Sequence, residues 1–166
     1  MLDPILRGMA AGAAGTTALN AVTYLDMLVR GRPASSTPEQ SVARLADRAH
    51  VEIPEQGRDN RVSAAGALLG LATGVLTGAA YGAARAAGWR PSLPVAGAAA
   101  TLGAMVGASA PMAVMGVSDP REWSATDWVA DAVPHAAYGL VTAATYAAMA
   151  QRRRTWRSRH LSIKAW

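Results

Sequence analysis

The sequence predicts an all-α protein: a four-transmembrane-helix bundle with a short amphipathic helix in the first outer loop. Charged residues make up 16% of the chain, well below the roughly 25% that is usual for soluble domains. Long segments contain no Asp, Glu, Lys or Arg at all, namely 62–84, 91–118 and 132–151. Each is long enough for a helix that crosses the roughly 30 Å hydrocarbon layer of a bilayer.

The predicted spans follow one another along the chain at about 5–29, 62–87, 93–115 and 129–151. They form one membrane domain over 1–151, and a basic cytoplasmic tail, 152–166, follows. The first span carries charges only near its two ends, at Arg7 and Asp26. Because the turn between the second and third spans is short, these two helices are expected to be antiparallel neighbours.

Glycine recurs at every fourth position of the second span, at Gly66, Gly70, Gly74, Gly78 and Gly82. In a water-exposed helix each glycine costs about 1 kcal/mol relative to alanine, so the pattern disfavours a soluble bundle. In a membrane the same glycines let a partner helix approach closely, and Gly103 and Gly107 offer similar packing positions in the third span. Packing within the bundle and a docking groove for another membrane subunit both stay open.

Arginines cluster directly after the last span, at Arg152, Arg153, Arg154, Arg157 and Arg159. Cationic flanks are retained on the cytoplasmic side, so we expect the C-terminus of a plasma-membrane protein to lie in the cytoplasm. An even number of spans places the N-terminus on the same side. The cluster acts either as a topology signal alone or as a site for the headgroups of anionic lipids such as cardiolipin.

The long outer loop, 30–61, is predicted to contain a helix at about 38–50. Thr37 suits the N-cap, Pro38 the first helical position and Gln40 the third. The apolar residues that follow fall on one face of this helix, at Val42, Leu45, Ala46 and Ala49. Such a helix lies on the membrane interface or packs over the bundle.

Polar side chains form a stripe on one face at the start of the fourth span, at Asp127, Asp131, His135 and Tyr138. Because the first span ends on the same side of the membrane, Asp26 is predicted to lie near His135 and to pair with it. Ionisable groups at membrane depth are costly and tend to mark a site or a pathway. Structural pairing and proton relay both stay open, whereas two carboxylates and one imidazole are a weak signal for a metal site.

The sequence contains no cysteine, which excludes disulfides and metal sites built on sulfur. It also lacks a glycine-flanked nucleophilic serine and a phosphate-binding loop. We therefore predict no enzyme activity, no cofactor and no bound metal. The positive charge behind the net +5 is concentrated beside a predicted membrane span, so nucleic acid is not an expected partner.

Distinctive short motifs occur along the chain, reading GRPASSTPEQ at 31–40, APMA at 110–113, SDP at 118–120 and PHAAYG at 134–139. With these motifs the chain resembles uncharacterised small membrane proteins of actinobacteria. The resemblance covers most of the chain and implies a four-helix integral membrane fold. It implies no catalytic residue.

Closely packing helices, short loops and the lack of a recognisable active site predict an accessory or scaffolding subunit of a larger membrane complex. A respiratory complex is the candidate assembly, and the expected partners are other integral membrane subunits and anionic lipids. The alternative is a small transporter or channel that uses Asp26, Asp131 and His135 near the outer membrane face.

Overall fold

The structure is a computed structural model that describes the backbone of residues 2–162 and the side chains of residues 2–151. Over this part of the chain the backbone forms five α-helices and no strand. The helices are α1 (Leu2–Arg30), α2 (Thr37–Ala49), α3 (Arg58–Ala86), α4 (Leu93–Val114) and α5 (Ala125–Ser162). The predicted all-α class is confirmed, and a short helix, α2, does lie in the first long loop.

Two of the long helices, α3 and α4, are long and apolar enough to cross a membrane. The other two, α1 and α5, are at least as long as α4 but are less apolar. Asn20 and several threonines lower the hydropathy of α1, and His135, Tyr138 and Tyr146 lower that of α5. Length and composition therefore support two of the four predicted spans. The other two spans and the cytoplasmic location of both termini stay predictions.

Helix α5 continues beyond the predicted end of the fourth span. Its backbone is helical from Ala125 to Ser162, so it runs through position 152, where a separate tail was expected. No glycine or proline occurs between 140 and 162, and arginine favours the helical state, so nothing in the sequence stops the helix there. The arginines predicted to bind lipid headgroups lie outside the residues whose side chains are described.

Glycines bring α1 and α3 together, backbone against backbone and antiparallel. Gly8 and Gly12 of α1 lie against Gly74, Gly78 and Gly82 of α3. A Cβ added at Gly12 would lie 2.5 Å from the Gly74 carbonyl oxygen, and one at Gly78 would lie 2.6 Å from the Gly12 Cα. Any side chain larger than hydrogen would separate the helices, which is why small residues recur at helix interfaces in membranes.

Helix α5 packs against α1 on one side and against α4 on the other, so the bundle is ordered α3, α1, α5, α4. Gly15 of α1 lies against the Thr142 side chain of α5. A Cβ at Gly139 of α5 would lie 2.5 Å from the Gly97 carbonyl oxygen of α4. Helices α3 and α4, which were expected to be close neighbours because of their short connection, contact each other much less than they contact α1 and α5.

The interior of the bundle is built from small residues and tyrosines. Apart from Val62, the buried hydrophobic residues are Ala11, Ala96, Ala100, Ala104, Ala143, Tyr81, Tyr138 and Tyr146. Among the leucines that the structure describes, none is buried, and Leu28 and Leu102 are 80% and 62% exposed. Water-soluble domains usually bury leucine, so the usual distribution is reversed here.

Helix α2 lies over the N-terminal half of α3. Its N-cap is Ser36, one residue before the predicted Thr37, and the Gln40 side chain donates a hydrogen bond to the Ser36 hydroxyl at 2.9 Å. Pro38 packs against Gly66, where a Cβ would lie 3.0 Å from the proline ring. At its other end the Arg48 guanidinium donates to the Val114 carbonyl oxygen at 3.1 Å, so α2 covers the ends of both α3 and α4.

The glycine contact predicts a position-dependent effect of the same substitution. We expect Gly78→Ala to lower the free energy of unfolding by about 1–3 kcal/mol, because its Cβ overlaps the α1 backbone. We expect Gly70→Ala to leave stability within about 1 kcal/mol of wild type, because nothing lies within 4 Å of its Cβ. Thermal unfolding in one detergent measures both, and equal effects would show that the α1–α3 contact is misplaced.

Candidate functional site

The structure places Asp26 with two arginines instead of with His135, its expected partner. The Asp26 carboxylate lies 3.5 Å from the Arg30 guanidinium and also forms an ion pair with Arg32, which follows the end of α1. A guanidinium is always charged and presents several donors, so it holds a carboxylate better than an imidazole does. The charge of the Asp26 carboxylate is thus balanced by arginines at the end of α1 and directly after it.

His135 and Asp131 form a pair one turn apart on α5. The His135 Nδ1 lies 2.8 Å from the Asp131 carbonyl oxygen and 3.4 Å from the Asp131 carboxylate. Because a carbonyl oxygen only accepts, Nδ1 carries a proton in this arrangement. The second carboxylate oxygen of Asp131 is buried and has no hydrogen-bond partner among the described residues. This carboxylate is the least satisfied part of the predicted polar stripe.

Asp127 acts as part of a helix cap. It accepts hydrogen bonds from the Ser124 backbone N–H at 2.9 Å and from the Ser124 hydroxyl at 2.6 Å. The Ser124 hydroxyl in turn accepts from the Asp127 backbone N–H at 3.2 Å, which is a capping box with Asp in place of Glu. The Ser124 side-chain hydrogen bond lowers the pKa of Asp127. Asp127 therefore caps the first turn of α5 through Ser124 and does not pair with His135.

Tyr138 lies at the centre of the bundle with only 1% of its surface exposed. Its hydroxyl donates to the Gly74 carbonyl oxygen at 2.6 Å and so links α5 to α3. Thr16 of α1, whose hydroxyl donates to the Gly12 carbonyl oxygen, lies directly beside Gly74. Tyr138, the last member of the predicted polar stripe, thus forms a hydrogen bond between two helices in the interior of the bundle.

The glycines predicted to mediate packing divide into three groups. Gly74, Gly78 and Gly82 contact α1, and Gly66 contacts α2. Gly70 faces open space, with nothing within 4 Å of its added Cβ. Gly103 and Gly107 of α4 meet only the Thr77 side chain of α3, at 3.9 and 3.4 Å from an added Cβ. Equal spacing along the sequence therefore does not mean equal packing.

A groove of about 580 Å³ lies between α3 and α4, where the two helices make few contacts. Its walls include Thr73, Thr77, Tyr81, Trp89, Gly103 and Gly107. We call it the α3–α4 groove. The sequence did not predict this groove, because glycines in two helices joined by a short turn indicate close packing. The signal that could have revealed it is that both facing walls carry small residues, so neither helix fills the space left by the other.

The loop before α5 is held by side-chain hydrogen bonds. The Arg121 guanidinium donates to the Asp119 carboxylate at 2.7 Å, and the Arg121 backbone N–H donates to it at 2.9 Å. The Trp123 indole N–H donates to the Ser118 hydroxyl at 2.9 Å, and its ring meets Trp128 edge-on at 5.0 Å. Trp123 and Trp128 thus form one aromatic unit at the start of α5.

Comparison with family models, with curated proteins and with solved structures finds no match to this chain. Over the residues that the structure describes, no group of three or more His, Cys, Asp or Glu side chains is arranged to hold a metal ion. The resemblance to actinobacterial membrane proteins stays a prediction.

The Asp119–Arg121 pair predicts a shifted titration. Hydrogen bonds from the Arg121 side chain, then from its backbone, lower the pKa of Asp119 from 3.8 to about 2. Because the folded state binds this proton less readily, the pair stabilises the loop above pH 3.8 and is lost as the pH falls towards 2.

We expect NMR titration of the Asp119 carboxyl carbon to give a midpoint near 2, and Arg121→Gln to move it towards 3.8. Arg58→Gln is the control, because Arg58 pairs with Glu55 instead. A wild-type midpoint at 3.8 would contradict the loop geometry.

Proposed function

We propose that this chain is a four-span integral membrane protein that acts as an accessory or scaffolding subunit of a larger membrane complex. The observation that carries the proposal is the outward position of its large aliphatic side chains. Each of the four long helices exposes leucines, among them Leu6 on α1, Leu71 on α3, Leu102 on α4 and Leu140 on α5. Monomeric soluble proteins rarely expose contiguous apolar patches of more than a few hundred Å².

Lipid gives these exposed side chains a suitable solvent. Burying apolar surface away from water contributes roughly 25 cal/mol per Å², so many exposed leucines in water would carry a large cost. In a bilayer that cost disappears, and helix association depends on close packing and interhelical hydrogen bonds. The glycine contacts and the Tyr138 hydrogen bond to Gly74 supply both. The outward leucines and these interhelical contacts support α1 and α5 as spans despite their lower hydropathy.

The accessory role is supported by a stripe of small side chains on the outer face of α1. Its members are Ala10, Ala13, Thr17 and Ala21, all exposed and spaced so that they share one face. Leu6 and Leu25, both exposed, bound the stripe at its two ends. This α1 stripe is separate from the face of α1 that meets α3 and α5. A helix of a partner subunit can approach it closely.

A small transporter or channel is the second candidate, and one observation favours it. The buried, unpaired carboxylate oxygen of Asp131 can take up a proton or a small cation. Further along α5, Tyr138 and Thr142, which are 1% and 0% exposed, fill the interior of the single chain. Flux in proteoliposomes that Asp131→Asn abolishes and Asp127→Asn leaves unchanged would favour this candidate over the scaffold.

The scaffold proposal predicts that enlarging the α1 stripe weakens association without unfolding the chain. We expect Ala13→Leu to lower the recovery of partner subunits about tenfold, since overpacking costs about 1–3 kcal/mol. Ala98→Leu is the matched control, because Ala98 is also exposed but lies on α4. Tagged protein is purified from native membranes in mild detergent, and co-purifying subunits are quantified by mass spectrometry.

Two results would contradict the proposal. In the first, the wild-type chain purifies from native membranes as a solitary monomer. In the second, Ala13→Leu and Ala98→Leu recover the same partners in the same amounts as wild type, which would remove α1 as the association surface.

A further inference from the structure

The length of the α3–α4 groove along α3 matches the thickness of one lipid leaflet. On α3 it extends from Thr73 to Ala84, which is about 16 Å along a helix that rises 1.5 Å per residue. The hydrocarbon layer of a bilayer is roughly 30 Å thick, so one leaflet contributes about half of that. The groove therefore begins at the α3–α4 turn and ends near the middle of the proposed span.

The end of the groove at the turn combines aromatic rings with cations. Tyr81 and Trp89 line it, and their rings meet edge-on at 5.9 Å between centroids. The Arg85 guanidinium lies 6.0 Å from the centre of the Tyr81 ring and 5.4 Å from the centre of the Tyr146 ring on α5. Arg85 and Arg90 directly follow Ala84 and Trp89 in the sequence, so both lie beside the residues that line the groove. Neither arginine lies within 4 Å of a carboxylate among the described side chains. Two positive charges thus stand at the interfacial end without an acidic partner.

The rest of the groove is largely apolar. Beyond the aromatic end its walls are alanines, Leu76, glycines and the methyl-bearing Thr73 and Thr77. The Thr73 hydroxyl already donates to the Leu69 carbonyl oxygen at 2.9 Å, so it does not require a ligand. An occupant of this part of the groove needs no polar groups.

A single acyl chain fits these features better than a transmembrane helix does. A transmembrane helix crosses both leaflets, so it would contact α3 and α4 along their full length. The groove instead covers about one leaflet, and Arg85 and Arg90 lie beside its end at the α3–α4 turn. One apolar chain of leaflet length joined to an anionic headgroup matches both the length of the groove and its charge.

We propose that the α3–α4 groove binds one anionic phospholipid, with an acyl chain between α3 and α4 and its phosphate at Arg90 and Arg85. The lipid would replace the missing side-chain contacts between these two helices. The proposal rests on the membrane location proposed above and is independent of the accessory-subunit role.

Native mass spectrometry of the full chain in mild detergent tests the site, with phosphatidylglycerol or phosphatidylcholine added as the probe. We expect the wild-type protein to retain one phosphatidylglycerol in preference to phosphatidylcholine. Arg90→Gln should weaken phosphatidylglycerol retention about fivefold, which corresponds to about 1 kcal/mol per cation at a lipid surface. Arg44→Gln removes the same charge from an exposed position on α2 and should change nothing.

A second pair of variants tests the acyl chain. Ala80 lines the groove and is exposed, so Ala80→Leu fills the space without a buried clash and should abolish the preferential retention. Ala83→Leu places the same side chain at an exposed position of α3 that does not line the groove and should retain the lipid. Thermal unfolding of both variants establishes that they are folded.

Several outcomes would overturn the lipid proposal. One is retention that is equal in wild type, Arg90→Gln and Ala80→Leu, and another is retention that depends on the arginines after 151 alone. A dimer that Ala80→Leu breaks would show that the groove takes a second copy of the chain. Protein that stays soluble without detergent would instead refute the membrane location, which distinguishes that failure from failure of the lipid site.

Discussion

Helices α1 and α3 pack through glycines on both sides, and this contact determines how the other helices and the polar side chains are arranged. Gly8 and Gly12 meet Gly74, Gly78 and Gly82 so closely that backbone touches backbone. Two helices at this separation leave no room for leucine between them. The large aliphatic side chains must therefore face outwards, and an outward leucine surface is stable where the surroundings are lipid.

The contact between α1 and α3 also determines which partners the polar side chains have. With α1 and α3 in direct contact, the Gly74 carbonyl oxygen is close enough to accept a hydrogen bond from Tyr138 of α5. The ring of Tyr138 then fills the centre of the bundle. Asp26 and Asp127 are satisfied locally, by arginines and by a helix cap. Of these three aspartates, Asp131 keeps a buried oxygen without a hydrogen-bond partner among the described residues. Helices α3 and α4 remain separated by a groove because neither carries side chains that fill it.

The sequence was sufficient to predict the helices and, apart from the C-terminal end of α5, their approximate ends, because uncharged segments and Pro38 are local signals. It also predicted packing for Gly74, Gly78 and Gly82. It did not predict that Gly70 faces open space or that Asp26 pairs with Arg32, because helix rotation and loop folding depend on tertiary contacts. The continuation of α5 was missed because a run of arginines indicates topology but does not end a helix.

Cysteine labelling tests the central claim that outward leucines on all four long helices face lipid. The chain has no cysteine, so Leu6, Leu71, Leu102 and Leu140 can be replaced by Cys one at a time, with Ser36→Cys as the water-exposed control. In intact membranes without detergent, a charged maleimide should label the control and none of the four, whereas in denaturing detergent it should label all five. Labelling at Leu6 or Leu140 in intact membranes would contradict four spans, and rapid labelling at every position would contradict membrane insertion itself.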